Sequence, residues 1–306
     1  MAKPIQIARL VRIIRLLTTY KKGLSAQEIA KRLADEGDEY AFSNRTIRRD
    51  FDDIHIAFGI DITLNTKEKV WAIEPDSIAD NPTILDHLLL VDAYRKAKST
   101  GSLLLEPQPE KGLEMLDPIL TAIPQNVLIT FTHYSFGWET TKAYQVLPYA
   151  VKEYQGRWYL IATDNKQPIK FKSFALDRIS NLEVTDIQVR RKKVDMESFF
   201  DHFYGVAIAE NESLQKVLLS FNYEQGKYIK TLKLHPSQVV ILDNEEEVRV
   251  ELTLAFPNGE APYDLVMKLC SFSNSVKVLA PQSLANEVAC YHKAAYEQYF
   301  SLSEDA

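Results

Sequence analysis

The sequence has little of what metalloenzymes, secreted scaffolds or membrane proteins carry. Among 306 residues there are two cysteines, Cys270 and Cys290. They could form one disulfide, but such sparse use suits small buried thiols in a reducing compartment, and a cytoplasmic location is expected. No run approaches the roughly 18–20 apolar residues of a membrane span. The N-terminal "MAKPIQIARLVRIIRLL" carries a charge every few residues, so it lacks the apolar core of a signal peptide. The six histidines (His55, His87, His133, His202, His235, His292) are scattered, without metal-ligand spacing. There is no Gly-rich phosphate loop, nucleophile elbow or zinc motif. No catalytic residue, metal site or cofactor is therefore expected. His133, beside Tyr134 in a predicted strand, could face a pocket, although simple packing explains it equally.

What is present is an ordinary globular composition, 46% hydrophobic and 25% charged. At this length two or three domains are expected. The net charge of −6 argues against a protein coated in nucleic acid, but the charge is uneven. Residues 1–34 hold eight basic groups (Lys3, Arg9, Arg12, Arg15, Lys21, Lys22, Lys31, Arg32) against one acid, Glu28. A basic end on an acidic body suits a dedicated nucleic-acid-binding module. Chance clustering on one helix face is the plain alternative.

Hydrophobic spacing organises the chain. Ile7, Leu10, Val11, Ile14 and Leu17 fall at helical intervals, and Gly23 ends that helix. Ser25 with Glu28 three residues on is a capping-box pattern, predicting a short helix over 25–35. After a polar break, "DEGDEYAF", Ser43 is a good N-cap for a third helix that Gly59 stops. Ile60–Leu64 and Val70–Ile73 then alternate as a hairpin. Three helices and a hairpin within 1–75 is the plan of a winged helix. Residues 76–125 read as a helical linker around a Gly/Ser/Pro-rich break at Ser99–Pro109. From 126 to 192 the period changes to two, giving five short strands that suggest a small closed or nearly closed barrel. Residues 193–306 read as an α+β domain, with "KTLKL" and "QVVIL" among its strands. The expected fold class is multidomain α+β.

The stretch "SNRTIRRDFDDI" at 43–54 carries the functional signal. Ile47, Phe51 and Ile54 pack inward, so Arg45, Arg48 and Arg49 crowd the outer face of the first turns. A recognition helix uses its N-terminal residues on bases and phosphates in the major groove. Arginine suits this, because its fork meets guanine O6 and N7 together. Alternatively, Arg48–Asp52 and Arg49–Asp53 are i,i+4 pairs, each stabilising by about 0.3–0.5 kcal/mol if exposed. Yet cations at a helix N-terminus oppose the macrodipole by roughly 0.3–1 kcal/mol each. A helix shaped for stability alone would place the acids first, and broken local rules tend to mark sites.

These residues resemble the "S-x-R-T-I-x-R-D" recognition helix of DeoR-like winged-helix regulators. The resemblance implies a DNA surface of Ser43, Asn44, Arg45, Thr46, Arg48 and Arg49, with Lys67 and Lys69 of the wing on phosphate, which positions without specifying sequence.

Further along, "RWYLIATD" at 157–164 places Trp158 and Leu160 on one face and Tyr159 and Ile161 on the other. On its own this is a core strand. Together with "LPYAVKEYQG" before it and "KSFALDRI" after it, it resembles the WYL domain, an Sm/SH3-like β-barrel. "LHPSQ" at 234–238 and "VKVLAP" at 276–281 resemble the WCX-type extension that follows WYL domains. In "SFSNSVKVLAP" the family's glycine is missing, and Asn274 suits the left-handed turn.

The resemblance implies a ligand-responsive transcription factor whose effector is a nucleic acid or nucleotide-like anion. Its pocket maps onto Tyr134, Tyr149, Lys152, Tyr159, Lys172 and Arg178. Aromatic faces stack bases and cations neutralise phosphate. Lys172 stands where the family has arginine, which exchanges a bidentate contact for a point charge. Arg178 could instead pair with Asp177, and the tyrosines could simply be core. The expected partner is double-stranded DNA bound by a homodimer, with no membrane involved. The rival is a single-strand- or RNA-binding protein working through the Sm-like barrel.

Overall fold

The protein is described here as a computed structural model, over residues 4–35, 43–79, 82–97, 112–164, 167–208 and 212–300. Residues 36–42 of the polar break and the whole Gly/Ser/Pro-rich stretch, 99–109, lie outside these residues. The architecture is multidomain α+β and divides into two compact units, 1–107 and 108–306.

The first unit begins with α1 (Pro4–Thr19), α2 (Ala26–Asp35) and α3 (Asn44–Phe58). A hairpin of β1 (Ile62–Asn65) and β2 (Val70–Ile73) follows. The sequence signals for these ends are physical. Glu28 accepts the Ser25 N–H at 2.8 Å while Ser25 Oγ accepts the Glu28 N–H at 3.2 Å, completing the capping box. Gly59 closes α3 in the left-handed region, φ 67°. Gly23 also sits at positive φ, and a Cβ there would lie 2.7 Å from the Trp71 carbonyl oxygen. That close approach lets Leu24 and Trp71 exchange backbone hydrogen bonds of 3.0 and 2.7 Å, tying the α1–α2 turn to the hairpin.

Leu10, Ile13, Ile14, Ile29, Leu33, Ile47, Phe51 and Ile54 fill the core of this unit. Ile7, expected on the inward stripe, is 51% exposed. Then come α4 (Pro75–Ala79) and α5 (Pro82–Ala97). The helix α5 is tied to α1 by an ion pair of 2.8 Å between Arg15 and the buried Asp92.

In the second unit, α6 (Leu116–Gln125) buries Ile119 and Ala122 against a five-stranded antiparallel sheet. The strands are β3 (Val127–Ser135), β4 (Thr140–Tyr154), β5 (Arg157–Asp164), β6 (Gln167–Ala175) and β7 (Ile179–Gln188). Their order is β6-β5-β4-β3-β7. The end strands β6 and β7 share no pairing among the described residues, so of the closed or nearly closed barrel expected, the closed form is not seen in the hydrogen bonding.

After α7 (Met196–Phe200), four strands form a second sheet in the order β11-β8-β10-β9. They are β8 (Glu212–Asn222), β9 (Val239–Asp243), β10 (Glu247–Pro257) and β11 (Val276–Ala280). Helices α8 (Tyr223–Thr231), α9 (Tyr263–Ser271) and α10 (Gln282–Phe300) accompany it.

Three expectations are corrected in this region. "KTLKL" is not a strand: its first two residues end α8, because Asn222 caps that helix by accepting from Gln225 N–H at 2.9 Å. The left-handed residue before β11 is Ser273, φ 53°, and not Asn274. Cys270 and Cys290 are free thiols, and Cys290 is exposed rather than buried. No described helix is long and apolar enough to cross a membrane.

Candidate nucleic-acid interface and ligand cleft

The first unit sorts its charges into two sets. Arg9, Arg12 and Arg15, counted in the basic end of the sequence, turn inward. Arg9 is bonded twice to Asp50, Arg12 is 8% exposed, and Arg15 pairs with Asp92. Part of the basic excess is therefore structural.

The arginines of α3 behave differently. Arg45, Arg48 and Arg49 are all exposed. None forms an ion pair among the described residues, and neither Arg48–Asp52 nor Arg49–Asp53 closes. Asp53 instead accepts from Gln6 Nε2 at 2.9 Å, and Asp50 is consumed by Arg9. The salt-laced alternative for this helix is thus not realised.

Ser43 is committed as the N-cap: its Oγ accepts the Thr46 N–H at 3.2 Å and lies 3.0 Å from Thr46 Oγ1. Asn44 is exposed beside it. Arg48 leans toward the hairpin, its guanidinium carbon 5.8 Å from the Trp71 ring centre. In the hairpin turn, Asn65 Oδ1 accepts from the backbone N–H of Lys67 and Glu68, and Lys69 adopts a left-handed φ of 56°. Both lysines are exposed on the turn.

The expected effector residues fall into separate places. Arg178 and Tyr134 meet at Phe136. The Arg178 guanidinium carbon lies 4.8 Å from the Phe136 ring centre, and Tyr134 stands edge-on to that ring at 5.6 Å. The neighbouring Asp177 pairs with Arg157 at 3.0 Å, and Arg178 Nε is buried without a partner. His133 is beside this group with an unpartnered buried Nε2. Burial, then the Arg178 charge, holds its pKa below the usual histidine value. Tyr159 is half-buried, and burial raises its pKa. Directly across the β4–β5 ladder is Lys152, which sits 4.4 Å from the Phe200 ring centre with its pKa lowered by burial.

Tyr149 is elsewhere. It is 4% exposed, edge-on to Phe171 at 4.9 Å and under the Arg191 guanidinium at 4.3 Å. A ligand would have to displace both neighbours to stack on it.

Lys172 lies 3.4 Å from Asp164 and lines a cleft of about 360 Å³ with His133, Trp138, Lys142, Tyr144 and Phe174. The mixture of aromatic faces and two lysines suits a nucleobase with its phosphate. A larger recess, about 660 Å³, includes Asp164 and Glu183 in its lining, which disfavours an anion. Phe136 and Trp138, 60% and 80% exposed, stand at this site although they lie outside the expected residue set. The available signal is "SFGWET": hairpin turns are otherwise polar, and here two aromatics flank the turn glycine. No group of three His, Cys, Asp or Glu able to hold a metal occurs among the described residues.

Comparison with known proteins adds the following. No curated protein matches the chain. Among solved structures, proteasome accessory factor B/C (PafBC) of Arthrobacter aurescens is 18% identical, over 92% of this chain and 45% of that one, with a TM-score of 0.37. The chain therefore spans under half the length of that protein. A CRISPR Cas-related protein is 13% identical, over 87% and 76% of the two chains, with a TM-score of 0.42. At this level of superposition neither likeness assigns a function. The family match is local and covers α6 with most of the five-stranded sheet: residues 114–184 match the WYL domain.

Proposed function

We propose that this chain is a DNA-binding transcriptional regulator that responds to a ligand held by its WYL domain. The observation that carries the reading is the exposed, unpaired triad Arg45, Arg48 and Arg49 at the start of α3. Behind it the helix is fixed by Arg9–Asp50 and by the Ile47, Phe51 and Ile54 stripe. In this reading residues 1–75 are a winged helix, α3 enters the major groove, and Lys67 and Lys69 touch phosphate. The cleft beside His133 and Arg178 takes a nucleotide-like or nucleic-acid anion. Residues 193–306 act as a WCX-type extension, the protein is non-catalytic and cytoplasmic, and two copies meet the two half-sites of an operator. Ligand binding shifts DNA affinity only as far as the ligand prefers one arrangement of the protein over the other.

The test is duplex binding by Arg48→Ala. Loss of specific duplex binding by a variant of unchanged stability supports the reading; retained specific binding contradicts it. Sedimentation at micromolar concentration checks the dimer, and a monomer alone counts against it.

A second reading draws on the aromatic and basic cleft, which fits a single strand as its working surface. Under it, Arg48→Ala leaves nucleic-acid binding intact and Lys172→Ala or Trp138→Ala removes it.

A further inference from the structure

The second unit is acidic, with 20 basic against 26 acidic groups over residues 108–306. Several of its cations find a carboxylate: Lys216, Lys227, Lys230 and Arg249 each reach one within 3.0 Å. The segment Arg190, Arg191, Lys192, Lys193, just after β7, gathers cations that do not, as Lys142, Lys233 and Lys277 do not singly elsewhere. Arg190, Lys192 and Lys193 are exposed and form no ion pair among the described residues. Three uncompensated cations within four residues repel one another, and an acidic body had carboxylates available to quench them.

Nor is the segment a loose solvated tail. Its start is held by the Val189 N–H donating to the Asn126 carbonyl at 2.9 Å. In the middle, Arg191 turns inward and donates to the carbonyls of Ile123 at 3.2 Å and Tyr149 at 2.9 Å, with its guanidinium over the Tyr149 ring. At the far end Asp195 caps α7, accepting from Glu197 and Ser198 N–H and from Ser198 Oγ. Among the residues that line the adjoining groove Asp195 is the carboxylate, and both its oxygens already accept hydrogen bonds. The anchored segment lines a groove of about 720 Å³ together with Ile123, Pro124 and Asn126. The groove does not share its lining with the His133 cleft.

We propose that this groove is a second anion site, in which Arg190 and Lys193 on its lining, with Lys192 exposed between them in the chain, hold the phosphodiester backbone of a nucleic acid. The geometry gives a preorganised row of cations beside a concave wall, which fits a linear polyanion better than a single phosphate. It offers no base-reading group other than Asn126, so sequence-independent binding follows. The choice of nucleic acid over an acidic protein rests on the function proposed above. A single strand and a duplex present the same backbone chemistry.

The test uses the full chain carrying Arg48→Ala, Lys172→Ala and Arg178→Ala, so that neither α3 nor the cleft and its neighbouring arginine supplies binding. Fluorescein-labelled oligothymidylate and a random-sequence duplex are titrated from 50 to 200 mM salt, with and without Arg190→Ala, Lys192→Ala and Lys193→Ala. Arg191 is left intact because it holds the fold. The triple substitution is expected to lower affinity for one or both probes about tenfold or more. For the single strand it should flatten the log K against log salt slope by about 2. Whichever probe responds identifies the source of the backbone.

Unchanged binding, or no binding before the triple substitution, overturns the proposal. So does polyglutamate that displaces the probe as well as unlabelled oligonucleotide does, because the groove then prefers acidic protein. Failure of the functional reading is separate: specific operator binding that survives Arg48→Ala sinks that reading and leaves the groove standing.

Discussion

Arg9 on α1 donates two hydrogen bonds, of 2.8 and 2.6 Å, to the two carboxylate oxygens of Asp50 on α3. Asp50 is fully buried and the Arg9 side chain nearly so. This bidentate pair fixes the rotation of α3 and so decides which of its charged residues face solvent. It also explains why an aspartate directly follows Arg48 and Arg49 without neutralising them.

Breaking the pair strands a buried charge. Asp50→Ala should destabilise the first unit by about 3–5 kcal/mol, while replacing both partners with apolar residues should cost far less. Urea denaturation of the three proteins checks this. Equal destabilisation by the single and double variants would contradict it.

The α3 arginines should be nearly silent in stability and strong in binding. Arg48→Ala and Arg49→Ala have no ion pair to lose, so each should change stability by no more than about 0.5 kcal/mol. Each should weaken specific duplex binding by about 1–3 kcal/mol. Lys67→Ala should weaken all duplexes alike and reduce the salt slope by about 1. Thermal melts and anisotropy titrations separate the two effects.

Gly23→Ala should destabilise the first unit by more than about 1 kcal/mol, because φ is positive and the new Cβ would meet the Trp71 carbonyl. Tryptophan fluorescence during denaturation reads the loss. Gly59→Ala meets nothing within 4 Å and carries only the conformational penalty, so it should cost less.

Two histidines set a pH dependence. His133 and His235 both have lowered pKa values, with burial the first cause in each case. For His133 the Arg178 charge lowers further and Asp177 opposes it; for His235 the Phe203 backbone hydrogen bond and Asp201 oppose, while His202 and Lys152 lower. The unfolded state binds protons first as pH falls, so stability is full above the unfolded value near 6.5 and declines below it. Replacing both residues with glutamine should flatten the decline between about pH 6.5 and 5. An unchanged pH profile would show that other groups dominate.

Much of the local structure was legible in the sequence. Ser43 and Gly59 bracket α3 because a side-chain oxygen and a left-handed turn are what a helix end needs. Ser25 and Glu28 likewise mark α2, and the tripeptide at 158–160 marked the WYL domain.

What was hidden depends on partners distant in the chain. Nothing near Asp50 announces that Arg9, 41 residues away, will consume its charge. Tyr149 reads as a stacking platform until Arg191 covers it from 42 residues away. "KTLKL" alternates like a strand, but the cap at Asn222 had already started a helix. The 190–193 run reads as solvated charge, and only the anchoring of Arg191 sets it along a groove.

DNA binding through α3 and its control by a ligand are read together by the anisotropy of the duplex lying upstream of this protein's own gene. It is titrated with wild type and Arg48→Ala, with and without a short single-stranded oligonucleotide. Wild type should bind specifically at near-physiological salt, Arg48→Ala should lose that binding, and the oligonucleotide should change wild-type affinity in a way that Arg178→Ala removes. Weak duplex binding that fades with salt as plain phosphate contact does, alongside tight oligonucleotide binding indifferent to Arg48, would contradict DNA recognition through α3 and make the WYL domain itself the working surface.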